Sequence, residues 1–210
     1  MSISFVIQAG GESTRMGGNK ALMPFLGEPL VARVARRLAP LTSEILVTSN
    51  SPDDFKFLNL PLVIDLLPGR GALGGLYTAL AVVQRPVLAV VACDLPFINP
   101  DLLKAQLALL AESGADLVVP ESPDGVEPMH AVYRREPCLA AVLRALEAGE
   151  CRLRGWYSLV NARIMSPREV SAYDPEFRSF INLNTPEEFR RAENLARALG
   201  ETPQSGTLGE

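Results

Sequence analysis

An α/β fold built on a mostly parallel sheet is what this chain of 210 residues predicts. Three observations lead there. Short apolar runs rich in Val and Ile recur without the polar alternation of a half-exposed strand, as in strands covered on both faces. Longer segments of helical character separate these runs, and such alternation implies crossover connections and helical layers on a sheet. The composition is 48% apolar and 21% charged, so neither a disordered nor a collagen-like chain is expected.

The apolar runs are residues 3–7, 45–47, 62–64, 87–93 and 117–119. A first helix is expected at 29–38, where Leu30, Val31, Val34 and Leu38 form one stripe. Arg33, Arg36 and Arg37 fall away from that stripe and are expected on the solvent side. Residues 73–83 are small and apolar, as suits a helix packed on a sheet. Residues 101–111 follow Asn99-Pro100, with the asparagine placed as N-cap and the proline as first helical residue. Residues 137–148 and 186–199 read as two more helices. The last has Thr185 as its cap, Pro186 at its start and Glu187 and Glu188 in its first turn. After residue 120 the alternation loosens. Residues 121–127 read as a polar loop, while 129–133 and 162–165 read as added strands that could run antiparallel. No repeat or linker divides the chain. Residues 1–199 are therefore expected to form one domain and 200–210 a frayed tail.

Charge and cysteine content narrow the function classes. Twenty basic against 24 acidic residues leave a net charge of −4, unsuited to sequence-independent nucleic-acid binding. Cys93, Cys138 and Cys151 are odd in number and widely spaced, which argues against a disulfide framework. With no Cys-x-x-Cys and with His130 as the single histidine, a zinc site is not expected. The first residues lack the basic n-region and apolar h-region of a signal peptide. The apolar runs are shorter than the roughly 20 residues that span a bilayer. A reduced, soluble, cytoplasmic protein is the expectation.

In an open parallel sheet, ligands bind beyond the carboxyl ends of the strands. The first strand is followed by Gln8-Ala9-Gly10-Gly11-Glu12-Ser13-Thr14-Arg15-Met16-Gly17-Gly18-Asn19-Lys20. Glycines let backbone N–H groups approach an anion, and Arg15 and Lys20 would neutralise phosphate charge. Ala21 stands where a Walker A loop needs Ser or Thr, and the Gly-x-Gly-x-x-Gly spacing is missing. Kinase-like and dehydrogenase assignments fail together. Asp94 ends the most apolar run, where a carboxylate needs a basic partner or a metal. Mg²⁺ takes one or two carboxylates together with substrate phosphates, and a cap on Leu95-Pro96 is the competing role. Asn182 and Asn184 flank Leu183, so in extended chain both amides share a face. They point to a metal or an acceptor phosphate, or else serve as turn and cap before Pro186. Cys93 reads as a small core residue. His130 has no partner in sequence and is not expected to act as a base, though it could line an acceptor pocket.

The run AGGESTRMGGNKAL at 9–22 resembles the signature loop of nucleotidyltransferases akin to the sugar-nucleotide pyrophosphorylases. More narrowly, it resembles that of the molybdenum cofactor guanylyltransferases of the MobA type. The resemblance recurs at GALGGL (71–76), ACDLPF (92–97), PMHAVY (128–133) and NLNTPEE (182–188). The blocks follow the family's order from residue 5 to about 190. The resemblance implies a Rossmann-like three-layer αβα sandwich of the nucleotide-diphospho-sugar transferase type. It also implies Mg²⁺-dependent transfer of GMP from GTP to the phosphate of molybdopterin, giving molybdopterin guanine dinucleotide and pyrophosphate.

In that reading Arg15, Lys20 and Asp94 are catalytic. Ala9, Gly10, Gly11, Lys20, Asp65 and Asp94 contact the nucleotide, with Thr48 or Asn50 as a further contact. Asp65 also has a competing role as a turn residue before 66–69. Asp94 and Asn182 hold the metal. Arg152, near Arg154, and Asn184 meet the acceptor. GTP and molybdopterin are the expected small-molecule partners. Transient contact is expected with other cofactor-biosynthesis proteins or with acceptor apoenzymes, and none with nucleic acid or membrane. The chain departs from the family at Asn19, where Asp is usual, at Gln8, where Leu is usual, and at 71–75, where Gly-Pro-Leu-Ala-Gly is usual. The Gly10-Gly11 pair resembles the guanylyl branch more than the cytidylyl one. Use of CTP or another phosphate acceptor, or nucleotide binding without turnover, are the alternatives.

Overall fold

The computed structural model describes residues 3–10 and 19–203. In chain order it contains β1 (Ile3–Gln8), β2 (Pro24–Phe25), β3 (Glu28–Pro29), α1 (Leu30–Leu38), β4 (Ile45–Ser49), β5 (Leu62–Ile64), α2 (Gly71–Val82) and β6 (Val87–Ala92). These are followed by α3 (Pro100–Ser113), β7 (Leu117–Ser122), β8 (Gly125–Val126), β9 (His130–Arg134), α4 (Arg135–Glu147), β10 (Ala162–Met165), α5 (Pro167–Ser171) and α6 (Pro186–Ala198).

The sheet order is β10-β7-β9-β6-β1-β4-β5, with β8 folded back on β7. β1 lies between β4 and β6, parallel to both. The chain steps outward from β1 to β4 and β5, then crosses to β6 on the other side. That reversal opens a crevice at the carboxyl ends of β1 and β6, the position where such sheets bind ligands. The two added strands differ in direction. β9 is antiparallel to β6 and β7, whereas β10 is parallel to β7.

Every residue of β1 is buried, because helices cover both of its faces. Phe5, Ile7 and Ala9 join Val31, Val34, Leu102 and Leu103 in one core. Val6, pointing the other way, joins Leu73, Leu76, Leu80 and Val142 in a second. The caps read from the sequence form. Asn99 accepts from the N–H groups of Asp101 at 2.9 Å and Leu102 at 3.3 Å. Thr185 and Glu188 make a reciprocal capping box. Gly114, at φ +67°, ends α3 in the left-handed conformation.

Two expectations need correction. Arg33 is not on a solvent face; it is 1% exposed. A third core of Phe25, Phe97, Leu183 and Phe189 packs beside α1, on the side the helical stripe left open. The Arg33 guanidinium lies 4.8 Å from the centre of the Phe25 ring. Its Nε donates to the Pro96 carbonyl at 2.7 Å, and it pairs with Glu201. That pairing corrects the second expectation, a tail frayed from residue 200. The Glu201 N–H also donates to the Ala196 carbonyl at 3.0 Å, so the folded body extends at least to Glu201. Among the described residues, no helix is long and apolar enough to cross a membrane.

Candidate functional site

β1 and its neighbours stay paired until the chain turns toward chemistry. The Ala9 N–H donates to the Thr48 carbonyl at 2.8 Å, and the Cys93 N–H donates to the Gln8 carbonyl at 3.1 Å. Past those bonds one chain enters the glycine-rich loop through Gly10, and the other presents Asp94. Asp94 is 8% exposed, fixed to the sheet edge by the residue before it.

Two further segments close around this carboxylate. Lys20 opens a short 3-10 turn, Lys20–Leu22, capped by Asn19, whose Oδ1 accepts from the Ala21 N–H at 3.2 Å. The amide oxygen of Asn19 thus makes the cap that a carboxylate would make there. Residues 182–184 arrive from the other side, ahead of α6. The backbone N–H groups of Asn184 and Thr185 both donate to Glu188 Oε2, at 2.7 and 2.9 Å. Those bonds and the nearby Lys20 ammonium hold the Glu188 carboxyl below its ordinary range.

Lys20 Nζ joins the three segments. It forms an ion pair with Asp94 Oδ2 and donates to Asn184 Oδ1 at 3.0 Å and to Asn182 Oδ1 at 3.5 Å. Both asparagines face the ammonium while Leu183 between them is fully buried, as the alternation of an extended segment requires. Asp94 Oδ1 is buried and has no hydrogen-bond partner among the described residues. An unmet carboxylate oxygen in a buried setting is costly. Together with the two amide oxygens it makes an all-oxygen donor set with one carboxylate, which suits Mg²⁺ bound jointly with phosphates. Among the described residues, no group of three or more His, Cys, Asp or Glu forms a metal site of its own.

Other residues singled out in the sequence stand elsewhere. Asp65 Oδ1 accepts from Thr78 Oγ1 at 2.6 Å and from the Leu67 N–H at 3.1 Å, pinning the turn that leads into α2. Thr48 is buried, and Asn50 is exposed just past β4. Arg152 is exposed in the loop after α4. Its Nε and Nη2 donate to Glu150 at 3.0 and 2.8 Å, and it makes no bond to the Lys20 cluster. The hydrogen bond from Arg152 pulls the Glu150 carboxyl down to about 2. Gly11 and Arg15 lie outside the described residues. Burial pushes the Cys93 thiol up to about 12, consistent with a neutral core residue. His130 does not line a pocket. It is fully buried with its ring 5.4 Å from that of Phe180, and burial pushes its imidazole down to about 4.

Sequence reasoning missed two residues. Glu188 was visible only as part of a helix start, yet its carboxylate fixes the backbone of Asn184. Gln8 was visible only as a departure from a family pattern. Its signal was a polar side chain ending an apolar strand at the ligand edge.

The MobA-like NTP transferase domain matches residues 5–163 of this chain. The molybdenum cofactor guanylyltransferase of Desulfosudis oleivorans is 34% identical over 198 residues, covering 94% of this chain and 97% of that one. A probable molybdenum cofactor guanylyltransferase of Chloroflexus aggregans is 39% identical, covering 90% and 93%. Among solved structures, the molybdopterin-guanine dinucleotide biosynthesis protein A of Archaeoglobus fulgidus superposes with a TM-score of 0.81 at 24% identity, covering 93% and 99%. A CMP:2-keto-3-deoxy-manno-octonic acid synthetase complexed with CTP superposes with a TM-score of 0.72 at 14% identity, covering 95% and 100%. The two structural likenesses are likenesses of fold.

Proposed function

We propose, from the premise that this chain belongs to the family of MobA-like NTP transferases and is a nucleotidyltransferase, that it transfers GMP from GTP to the phosphate of molybdopterin. The products are molybdopterin guanine dinucleotide and pyrophosphate. An acceptor phosphate oxygen bonds to the α-phosphorus of GTP. The bond from that phosphorus to the bridging oxygen breaks, and pyrophosphate leaves with the electron pair. A phosphate monoester is already largely dianionic near neutral pH, so no protein base has to remove a proton. The barrier is charge repulsion and misalignment, which positioning and fixed charges lower.

One observation carries the reading: Lys20, Asp94, Asn182 and Asn184 converge at the switch point of the sheet, with Asp94 Oδ1 unpaired. Mg²⁺, when bound, supplies charge neutralisation and alignment at the transferring phosphate. Asp94 and Asn182 are assigned to hold it. Asn184 is assigned to the acceptor phosphate, and Arg152, exposed in the loop after α4, to the same acceptor. Lys20 is assigned to the donor phosphates and the leaving pyrophosphate, trading its contact with Asp94 for one with phosphate. Ala9, Gly10 and Gly11 are assigned to backbone contact with the nucleotide, Arg15 to its phosphates and Asp65 to a further contact. The reaction is assigned to the cytoplasm, in keeping with three free cysteines. Transient docking with proteins that supply molybdopterin or accept the product belongs to the same reading.

The test is pyrophosphate release with Mg²⁺ and molybdopterin, comparing GTP, CTP, ATP and UTP. Release with GTP alone is expected. Preference for CTP would keep the chemistry and change the donor. Tight GTP binding without release from any nucleotide would replace the reading with another acceptor or a non-catalytic sensor.

A further inference from the structure

β1 ends on a residue that packing alone does not explain. Gln8 is 9% exposed, and its Nε2 has no hydrogen-bond partner among the described residues. An apolar side chain of similar volume would fill the position without burying an unmet donor. The facing helix makes room for the amide. A Cβ at Gly75 of α2 would lie 2.6 Å from Gln8 Nε2 and 3.1 Å from its Cδ. The backbone of Gly75 does not call for glycine, since its φ is outside the left-handed range, and glycine inside a helix weakens it. Two locally unfavourable features therefore meet at one point, at the carboxyl end of β1. Unfavourable features that coincide at a ligand edge point to a ligand.

The chemistry of the group narrows what that ligand part is. Phosphates call for charge, which Lys20 provides, whereas a neutral carboxamide among apolar neighbours suits the edge of a base. We infer that Gln8 reads the base of the donor nucleotide, its Nε2 donating to a keto oxygen, the O6 of guanine. This rests on the guanylyl-transfer reading above. Adenine and cytosine present an amino group in the corresponding place, which the carboxamide, in the orientation that leaves Nε2 without a partner, would meet donor to donor. Gln8 is thus assigned as the side chain that separates keto from amino bases.

The experiment is equilibrium binding of GTP, inosine triphosphate, ATP and CTP with Mg²⁺ and no acceptor. It compares the unmodified protein with Gln8→Met, a nearly isosteric apolar replacement, and with Gly75→Ala. The unmodified protein is expected to favour GTP and inosine triphosphate, which share the keto oxygen. Gln8→Met is expected to weaken those two by roughly tenfold and to leave ATP and CTP within about twofold. Its thermal midpoint should be equal or higher, because an unmet donor is gone. Gly75→Ala pushes the carboxamide aside and should narrow the same ratio from the opposite surface. Equal loss for all four nucleotides would mark a packing role and overturn the inference, as would an unchanged ratio or no base preference in the unmodified protein. A preference for CTP in the unmodified protein would remove the guanylyl reading. It would overturn the keto-reading role of Gln8 as well, since cytosine presents an amino group, whereas a GTP preference that Gln8→Met leaves unmoved would overturn that role alone.

Discussion

Asp94 and His130 stand near the same end of two adjoining strands, β6 and β9, and their surroundings treat them in opposite ways. Both are buried, and both carry side-chain atoms without a hydrogen-bond partner among the described residues. Asp94 sits where the sheet opens, against the Lys20 ammonium and two amide oxygens. His130 sits under the Phe180 ring. The nearby charge is Asp174, whose carboxylate already accepts from the N–H groups of Arg178 at 3.0 Å and Ser179 at 2.8 Å. Burial outweighs that attraction and leaves the imidazole neutral at ordinary pH. An unmet atom beside a countercharge at an open edge is a place for a ligand, whereas one sealed beneath aromatic rings is a standing cost to the fold.

The strongest way to break this contrast is at Asp94. Asp94→Asn keeps the shape and removes the charge. Turnover, read as pyrophosphate release at saturating GTP, is expected to fall by at least about 10²–10³ while circular dichroism stays native. Undiminished turnover would make Asp94 and His130 equivalent. His130 offers a smaller effect of a different kind. Its imidazole titrates at about 4 when folded, against an ordinary 6.5. Between those values the unfolded chain binds more protons. Stability is therefore full above the upper value and is lost as pH falls toward the lower, by on the order of 3 kcal/mol. His130→Phe should flatten that slope in urea unfolding compared at about pH 4.5 and about pH 7, with turnover unchanged. A slope as steep as before would assign the loss to carboxylates instead. The smallest effect belongs to Glu188→Ala, which frees the backbone of Asn184 and removes a carboxylate near Lys20, leaving Asp94 and Asn182 in place. The acceptor concentration for half-maximal turnover should rise by about fivefold, what one neutral hydrogen bond of positioning is worth. No change would mean that Asn184 keeps its place without the capping box.

The sheet was legible because its central strands are buried on both faces, so residues 3–7 and 87–93 stand out as unbroken apolar runs, whereas the edge strand β5 leaves Ile64 exposed. Direction was not legible. The same burial hides whether a strand runs with or against its neighbours: the antiparallel direction read for the two added strands holds for β9, whereas β10 runs parallel to β7. Arg33 was misread because a helical stripe registers only one packed face. Its second face is made by Phe25, Phe97 and Glu201, which lie far from it in sequence or beyond the periodic pattern. Residue types at the site were readable one by one: a base after a glycine loop, an acid ending a strand, amides alternating with leucine. Their meeting at one ammonium was not, since no local pattern encodes a contact across the whole chain. Gln8 carried a signal, a polar side chain where the strand needed none, but its significance depends on Gly75, which only the fold brings beneath it.

The span of those contacts has a temporal side. The bond from Lys20 to Asn184 joins residues 164 positions apart, and the pair with Asp94 spans 74. During synthesis the glycine loop and Asp94 leave the ribosome early, while the asparagines that complete the oxygen set come near the end. Until residue 184 has emerged and α6 has docked, Lys20 has Asp94 as its partner and neither asparagine. The cluster is a late event in the life of the chain, and an interrupted translation product lacks its asparagines however much of the sheet it has assembled.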